Sequence, residues 1–244
     1  MFVTIFLLLN KGIFRDIYAI IWSALLPVGL LVGLGLYTNE SYFPQLLTGV
    51  LTLNVLFGAF NTSCIQMIQQ RNQGVYKLIH VTPTSSLYFI TILTLVRSFF
   101  TFVLTLLTLA VSILFFEWSI SIFHFLILIV VLTLGNICFT ALSIVTANFA
   151  RHEGQGNMLT NLIAFPMLFT SEAFYSMDAA PSWLQYVAKC MPFSYLVDAV
   201  HHVIQGNNLD VSLVYALIIT AFSLLFMMFA SLTFNWNPGQ QKLN

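Results

Sequence analysis

QQRNQGVYKLIHVTPTSSLYF (residues 69–89) separates two long apolar segments and holds two of the chain's eight cations, Arg71 and Lys77. Most of the chain on either side has the composition of hydrocarbon-spanning helix. A polar stretch with its own turn signals between two such blocks is where the chain reaches water. The rest then reads as membrane spans joined by short polar turns.

Composition carries that reading outward. Hydrophobic residues make up 59% of the 244 residues, charged residues only 7%, and 24 positions are phenylalanine. A water-soluble domain carries roughly 25% charged residues, so this chain cannot cover a water-facing surface. The dyad alternation of a membrane β-barrel does not occur. The expected fold is therefore an all-α polytopic membrane protein. Eight basic and eight acidic residues balance, which gives no sign of a nucleic-acid partner. Cys64, Cys138 and Cys190 stand alone, without metal-site spacing. The start, MFVTIFLLLNKGIFRD, has no basic residue before its apolar run and no small-residue cleavage site, unlike a signal peptide.

Six spans are expected, at residues 17–37, 44–67, 93–116, 120–147, 158–172 and 211–234. In residues 1–18, Phe2, Phe6, Leu9, Ile13 and Ile17 recur at helical spacing while Lys11 and Arg15 lie elsewhere on the wheel. That pattern suits an N-terminal interfacial helix, although a ragged start to the first span has the same composition. The fifth span is shorter than the usual 20 residues or so and needs help from the polar loop before it or from the residues after it. In residues 173–208, PSWLQYVAKC and PFSYLVDAVHHVIQG are too short and polar to cross. Each has proline at its first turn, which predicts two short outer helices between spans five and six. Residues 66–80 are expected to form a cytoplasmic helix after span two. With both termini inside, Lys11, Arg15, Arg71, Lys77, Arg97, Arg151 and Lys242 are cytoplasmic and only Lys189 is external, as the positive-inside rule requires.

Few polar residues fall inside these spans, and each admits more than one role. Asn54 and Asn61, seven residues apart, are expected on one helical face. An unpaired amide in lipid is costly, so they face either a neighbouring helix or a cargo route. Arg97 is expected to snorkel toward cytoplasmic headgroups or to sit on an extension of its helix. Phe165, Phe169 and Phe174 would line a greasy route or simply pack. Trp183, Tyr186 and Tyr195 suit an interfacial aromatic belt. Glu172 and Asp198 are either plain exposed acids or an attraction for a cationic cargo. His201 and His202 are adjacent, so they point apart and make a poor metal pair. No catalytic constellation shares one membrane depth, so the chain is not expected to be an enzyme. No G-x-x-x-x-G-K-[ST] occurs, so any ATP binds elsewhere.

Two stretches resemble the type-2 ABC exporter permeases, the ABC-2 family. Arg71, Gly74, Lys77, Leu78 and Thr82–Pro83 resemble its basic residue, glycine, apolar-basic turn and "TP" before the third span. Pro181, Trp183, Leu184, Pro192, Tyr195, Asp198 and Ala199 resemble its run before the sixth. His201 departs from the arginine that often follows the aspartate-alanine pair, and Glu172 from a serine-glycine turn. The resemblance implies a transport subunit in a bacterial plasma membrane, among lipid, paired as a homodimer or heterodimer with a second permease chain. ATP and Mg would sit on a separate ABC ATPase, docked through residues 66–80 by Arg71, Gly74, Lys77 and Pro83. In that frame Arg71 and Lys77 would meet acidic groups of the ATPase, or lipid phosphates. Gly74 would permit close backbone approach and Pro83 would set the turn into the membrane. Spans two and five would line the route, through Asn54, Asn61, Phe165 and Phe169. Pro181, Trp183, Pro192, Tyr195 and Asp198 would form an outer gate. An amphipathic or hydrophobic cargo fits this frame. The alternatives are a non-transporting membrane scaffold or immunity protein, an ion-coupled transporter, and an intramembrane enzyme acting on lipids, which the near absence of ionisable groups in the spans opposes.

Overall fold

Long apolar runs broken by polar turns become helices of very different exposure. The computed structural model describes residues 17–39, 41–76, 86–116, 118–174, 180–206 and 209–234, and among these residues it contains helices and no strand. The helices are α1 (Ile17–Gly35), α2 (Phe43–Asn72), α3 (Ser86–Phe116), α4 (Ile122–Phe149), α5 (Glu153–Phe169), α6 (Ser182–Cys190), α7 (Pro192–Gln205) and α8 (Leu209–Thr233). Four of them, α2, α3, α4 and α8, are long and apolar enough to cross a membrane, against the six spans expected. Helix α1 has 19 residues and α5 has 17, so they are about 28 and 26 Å long. The expected interfacial helix lies outside the described residues except for Ile17 and Tyr18, which begin α1.

Several boundaries move for identifiable reasons. Helix α5 starts at Glu153, drawing on the polar loop. His152 Nδ1 accepts from the Gln155 backbone N–H at 3.2 Å, while Gln155 Oε1 accepts from the Arg151 N–H at 2.9 Å. This reciprocal cap satisfies donors that a helix start leaves open. Helix α2 runs on to Asn72, so residues 66–72 of the expected coupling helix are its last turns, while residues 77–80 lie outside the described residues. Within α2, Val55–Thr62 is π-helical, and Thr62 Oγ1 donates to the Phe57 carbonyl five residues back at 3.1 Å.

Helix α4 is central, packed by α8, α2, α3 and α7. Helix α3 meets the bundle with a stripe of small hydroxyl residues: Ser98, Thr101, Thr105, Thr108 and Ser112, all buried. Most return their protons to their own helix; Thr105 Oγ1, for instance, donates to Thr101 O at 2.9 Å. Small side chains with satisfied hydroxyls let helices approach closely in lipid. Helix α6 buries no residue, whereas α7 is seated inside the bundle. Phe193, Leu196, Val197, Val200 and Val203 repeat at helical spacing and are fully buried, so of the two short helices expected between spans five and six α7 packs into the bundle and α6 does not.

The turn after α5 lies against α2 at Gly49. A Cβ there would sit 2.6 Å from the Ala173 carbonyl oxygen, a backbone atom that cannot swing aside. Gly49→Val is therefore expected to lower stability by about 1–3 kcal/mol, read as a fall in the thermal unfolding midpoint of the purified protein.

Candidate functional site

At the end of α2, Arg71 and Arg97 both find acceptors within the chain. Arg71 is only 8% exposed; its Nη1 donates to Ala147 O at 2.9 Å and its Nη2 to Ala150 O. Those carbonyls close α4, where a helix lacks partners and favours a cation. Arg71 thus caps α4 from α2, and is not held out toward an ATPase or lipid phosphates. Arg97 is 2% exposed, and its two terminal nitrogens donate to Gln66 Oε1 at 2.8 Å and Gln70 Oε1 at 2.9 Å. Two glutamines one turn apart match the guanidinium fork. Because α3 begins at Ser86, Arg97 lies 11 residues (97 − 86) and about 17 Å along it, where α2 and not a headgroup supplies acceptors. Tyr76 folds back over this end, buried edge-on against Phe89 at 5.2 Å.

Between them is a turn. Gly74 has φ +77, and no atom lies within 4 Å of where its Cβ would be. The glycine serves a left-handed turn, and no neighbour among the chain's described residues crowds it. Asn72 and Gln73 beside it are exposed. Lys77 and Pro83 lie outside the described residues.

Asn54 and Asn61 do not share a partner face. The wider π turn between them breaks the two-turn register that seven residues would span in an α-helix. Asn54 is buried and directed at Thr105 Oγ1 of α3, 3.5 Å away. Asn61 turns to α5, donating to Asn161 Oδ1 at 3.1 Å and Asn157 Oδ1 at 3.4 Å, while Asn161 Nδ2 donates to Asn157 Oδ1 at 3.3 Å. Asn157, Asn161, Phe165 and Phe169 are each four apart and form one stripe of α5. Phe165 is 46% exposed and Phe169 63%, with their rings stacked 6.3 Å apart. The structure thus brings Asn61, Phe165 and Phe169 onto one open face and leaves Asn54 off it. The spacing of Asn157 and Asn161 was the signal that would have added them.

The opposite end of α2 meets α7 in a polar concavity. Pro192 starts α7, while Pro181 stands just before α6, whose Trp183 and Tyr186 are exposed. Tyr195 points inward, its ring 5.8 Å from that of Tyr215 on α8, and its hydroxyl donates to Lys189 O at 2.6 Å. A cavity of about 350 Å³ is lined by Glu172, Ser194, Tyr195, Asp198, His202 and Tyr215, among others. A neighbouring one of about 360 Å³ shares Glu172 and His201 with it. Burial, with Glu172 nearby, pushes Asp198 up to about 7. His201 binds α7 to α2: Gln205 Nε2 donates to its Nε2 at 2.8 Å, and its Nδ1 faces Thr48 Oγ1 at 3.5 Å. Thr48 gives its own proton to Pro44 O, so this network assigns the ring hydrogen to Nδ1. Burial first, then His202, lowers His201 below the ordinary histidine value and keeps it neutral. His202 instead stacks on Tyr215 at 6.1 Å, so the two histidines do diverge. Among the described residues no group of three or more potential metal ligands comes together.

A family model described as ABC-2 type transporter matches residues 2–204. No curated protein matches the chain.

Proposed function

The chain belongs to the ABC-2 type transporter family, which makes it a membrane subunit of an ABC transporter, and from that premise we propose that it is the permease of an ATP-driven exporter. It carries an amphipathic or hydrophobic cargo out of a bacterial cell, and a separate ATPase subunit binds ATP and Mg²⁺. The α5 stripe is the observation that supports this most directly. Exposed asparagine beside exposed phenylalanine does not suit lipid, which leaves amides unpaired. Such a face calls for a cargo route or a second permease half, the same chain or a sister. Helices α1 and α5 complete six spans with α2, α3, α4 and α8. By the cation split, the Arg71 end is cytoplasmic.

In this reading the exposed turn at Asn72, Gln73 and Gly74, continued by Lys77 and Pro83, receives the ATPase. Arg71 ties α2 to α4 and Arg97 ties it to α3, so a push on the turn moves three helices as one body past α5. The external end is closed by Pro181, Trp183, Pro192, Tyr195 and Asp198. ATP acts only through the difference in free energy it makes between inward-open and outward-open states.

Co-purification with candidate ATPases in mild detergent, followed by ATP hydrolysis in nanodiscs, tests this. An ATPase is expected to be recovered with the unmodified chain and lost with Gln73→Trp, whose thermal midpoint stays unchanged because the position is exposed. Failure of every ATPase to bind the unmodified chain would displace the export reading in favour of a scaffold or an ion-coupled transporter.

A further inference from the structure

The cavity at the Asp198 end has a chemistry that the family match does not assign. Asp198 is partly buried, yet no side chain among the described residues donates a hydrogen bond to its carboxyl. The Ser194 hydroxyl in the same wall is only 8% exposed by residue and also has no partner. The Ser194 hydroxyl, shut away without a partner, is costly to leave unpaired, and the Asp198 carboxyl faces the cavity without a protein donor among the described residues. Aromatic rings form one part of the wall: the Tyr195 and Tyr215 rings meet at 5.8 Å, and His202 is stacked on Tyr215. Glu172 adds a second acidic group at the rim, shared with the neighbouring cavity. Lys189 also lines the cavity, but its ammonium lies 5.9 Å from the Tyr186 ring and makes no ion pair with Asp198.

We propose that this cavity binds an organic ammonium group, with Asp198 and Ser194 accepting its N–H bonds and the Tyr195 and Tyr215 rings packed around its substituents. Each requirement of that ligand class is met by a separate feature. The open acceptors need a donor, the two acids favour a cation, and aromatic rings hold alkylated ammonium groups through their negative faces. A volume of about 350 Å³ admits a small amine or the head of a larger one. A metal ion fits less well, since no three potential ligands converge among the described residues. An ammonium has two natural sources, the exported cargo or a phosphatidylethanolamine headgroup. Assignment to cargo rests on the export reading above; the binding itself does not.

The test is calorimetric titration of the full chain in phosphatidylglycerol nanodiscs with benzylammonium and, as its neutral counterpart, benzyl alcohol. Benzylammonium is expected to bind and benzyl alcohol not to, with Asp198→Asn weakening the amine roughly tenfold or more. Glu172→Gln, at the exposed rim, is expected to weaken it less. That variant reports on the site even if Asp198→Asn alters folding. Equal affinity for amine and alcohol, no binding of the amine, or full affinity in both variants would overturn the proposal. If headgroups occupy the site, adding phosphatidylethanolamine raises the apparent Kd for the amine. If cargo does, that lipid has no effect and Asp198→Asn slows ATP-driven efflux of the amine from proteoliposomes. Because binding is read without an ATPase, its failure would leave the docking result intact, and the reverse holds too.

Discussion

Arg71→Glu is expected to destabilise the whole Arg71 end by about 3–5 kcal/mol, a larger effect than loss of any surface contact would give. The guanidinium holds the Ala147 and Ala150 carbonyls at the close of α4, and the glutamate would set negative oxygen against them. Exposed ion pairs contribute only about 0–1 kcal/mol, so a docking arginine held in water would leave the unfolding midpoint nearly unchanged. The two roles therefore predict different measurements. Thermal unfolding in detergent and hydrogen exchange across residues 147–155 should both report the loss, with Arg71→Lys intermediate because it keeps the charge and one bond. An unchanged midpoint with faster exchange nowhere would mean that Arg71 does not cap α4. Arg71→Glu therefore cannot serve as a clean docking variant, whereas the exposed Gln73 can be changed without touching the cap.

The second large effect is a pH dependence set by Asp198. Its folded value of about 7 lies above the roughly 3.9 of an ordinary aspartate. Between those values the folded chain holds a proton that the unfolded chain has released. Stability from this group is therefore fully present below about pH 4, falls as pH rises toward 7, and is level beyond. At about 1.4 kcal/mol for each tenfold change in proton affinity, the fall is bounded by about 4 kcal/mol, and water at the cavity mouth reduces it. His201 is shifted the other way and so contributes stability that rises with pH up to its ordinary value near 6.5. Comparison of the unmodified chain with Asp198→Asn isolates the carboxyl. The variant should show a flatter midpoint between pH 5 and 7 and a higher midpoint at pH 8. Parallel profiles for the two proteins would remove Asp198 as the titrating group.

Much of this protein can be read from local features. Apolar length marked α2, α3, α4 and α8, and proline opened α7 at Pro192. Adjacent histidines had to diverge. Even the open face of α5 is written as residues 157, 161, 165 and 169, one helical turn apart. The errors fell where a local rule met a non-local partner. The seven-residue spacing of Asn54 and Asn61 implied one face until a π segment intervened. Arg71 and Arg97 have the spacing of ordinary inside cations, and only their distant acceptors give them a structural role.

The sequence by itself determined that this is a helical membrane chain of the ABC-2 pattern, because hydrophobic length, turn chemistry and the motifs are properties of neighbouring residues. Only the tertiary structure decided which polar groups are consumed within the bundle and which stay open. Arg71 and Arg97 find their acceptors 27 to 79 positions away, whereas Asp198 finds no donor among the described residues. In a low-dielectric interior that difference determines where a ligand or partner can act, since a satisfied polar group gains little from a new contact and an unsatisfied one gains much.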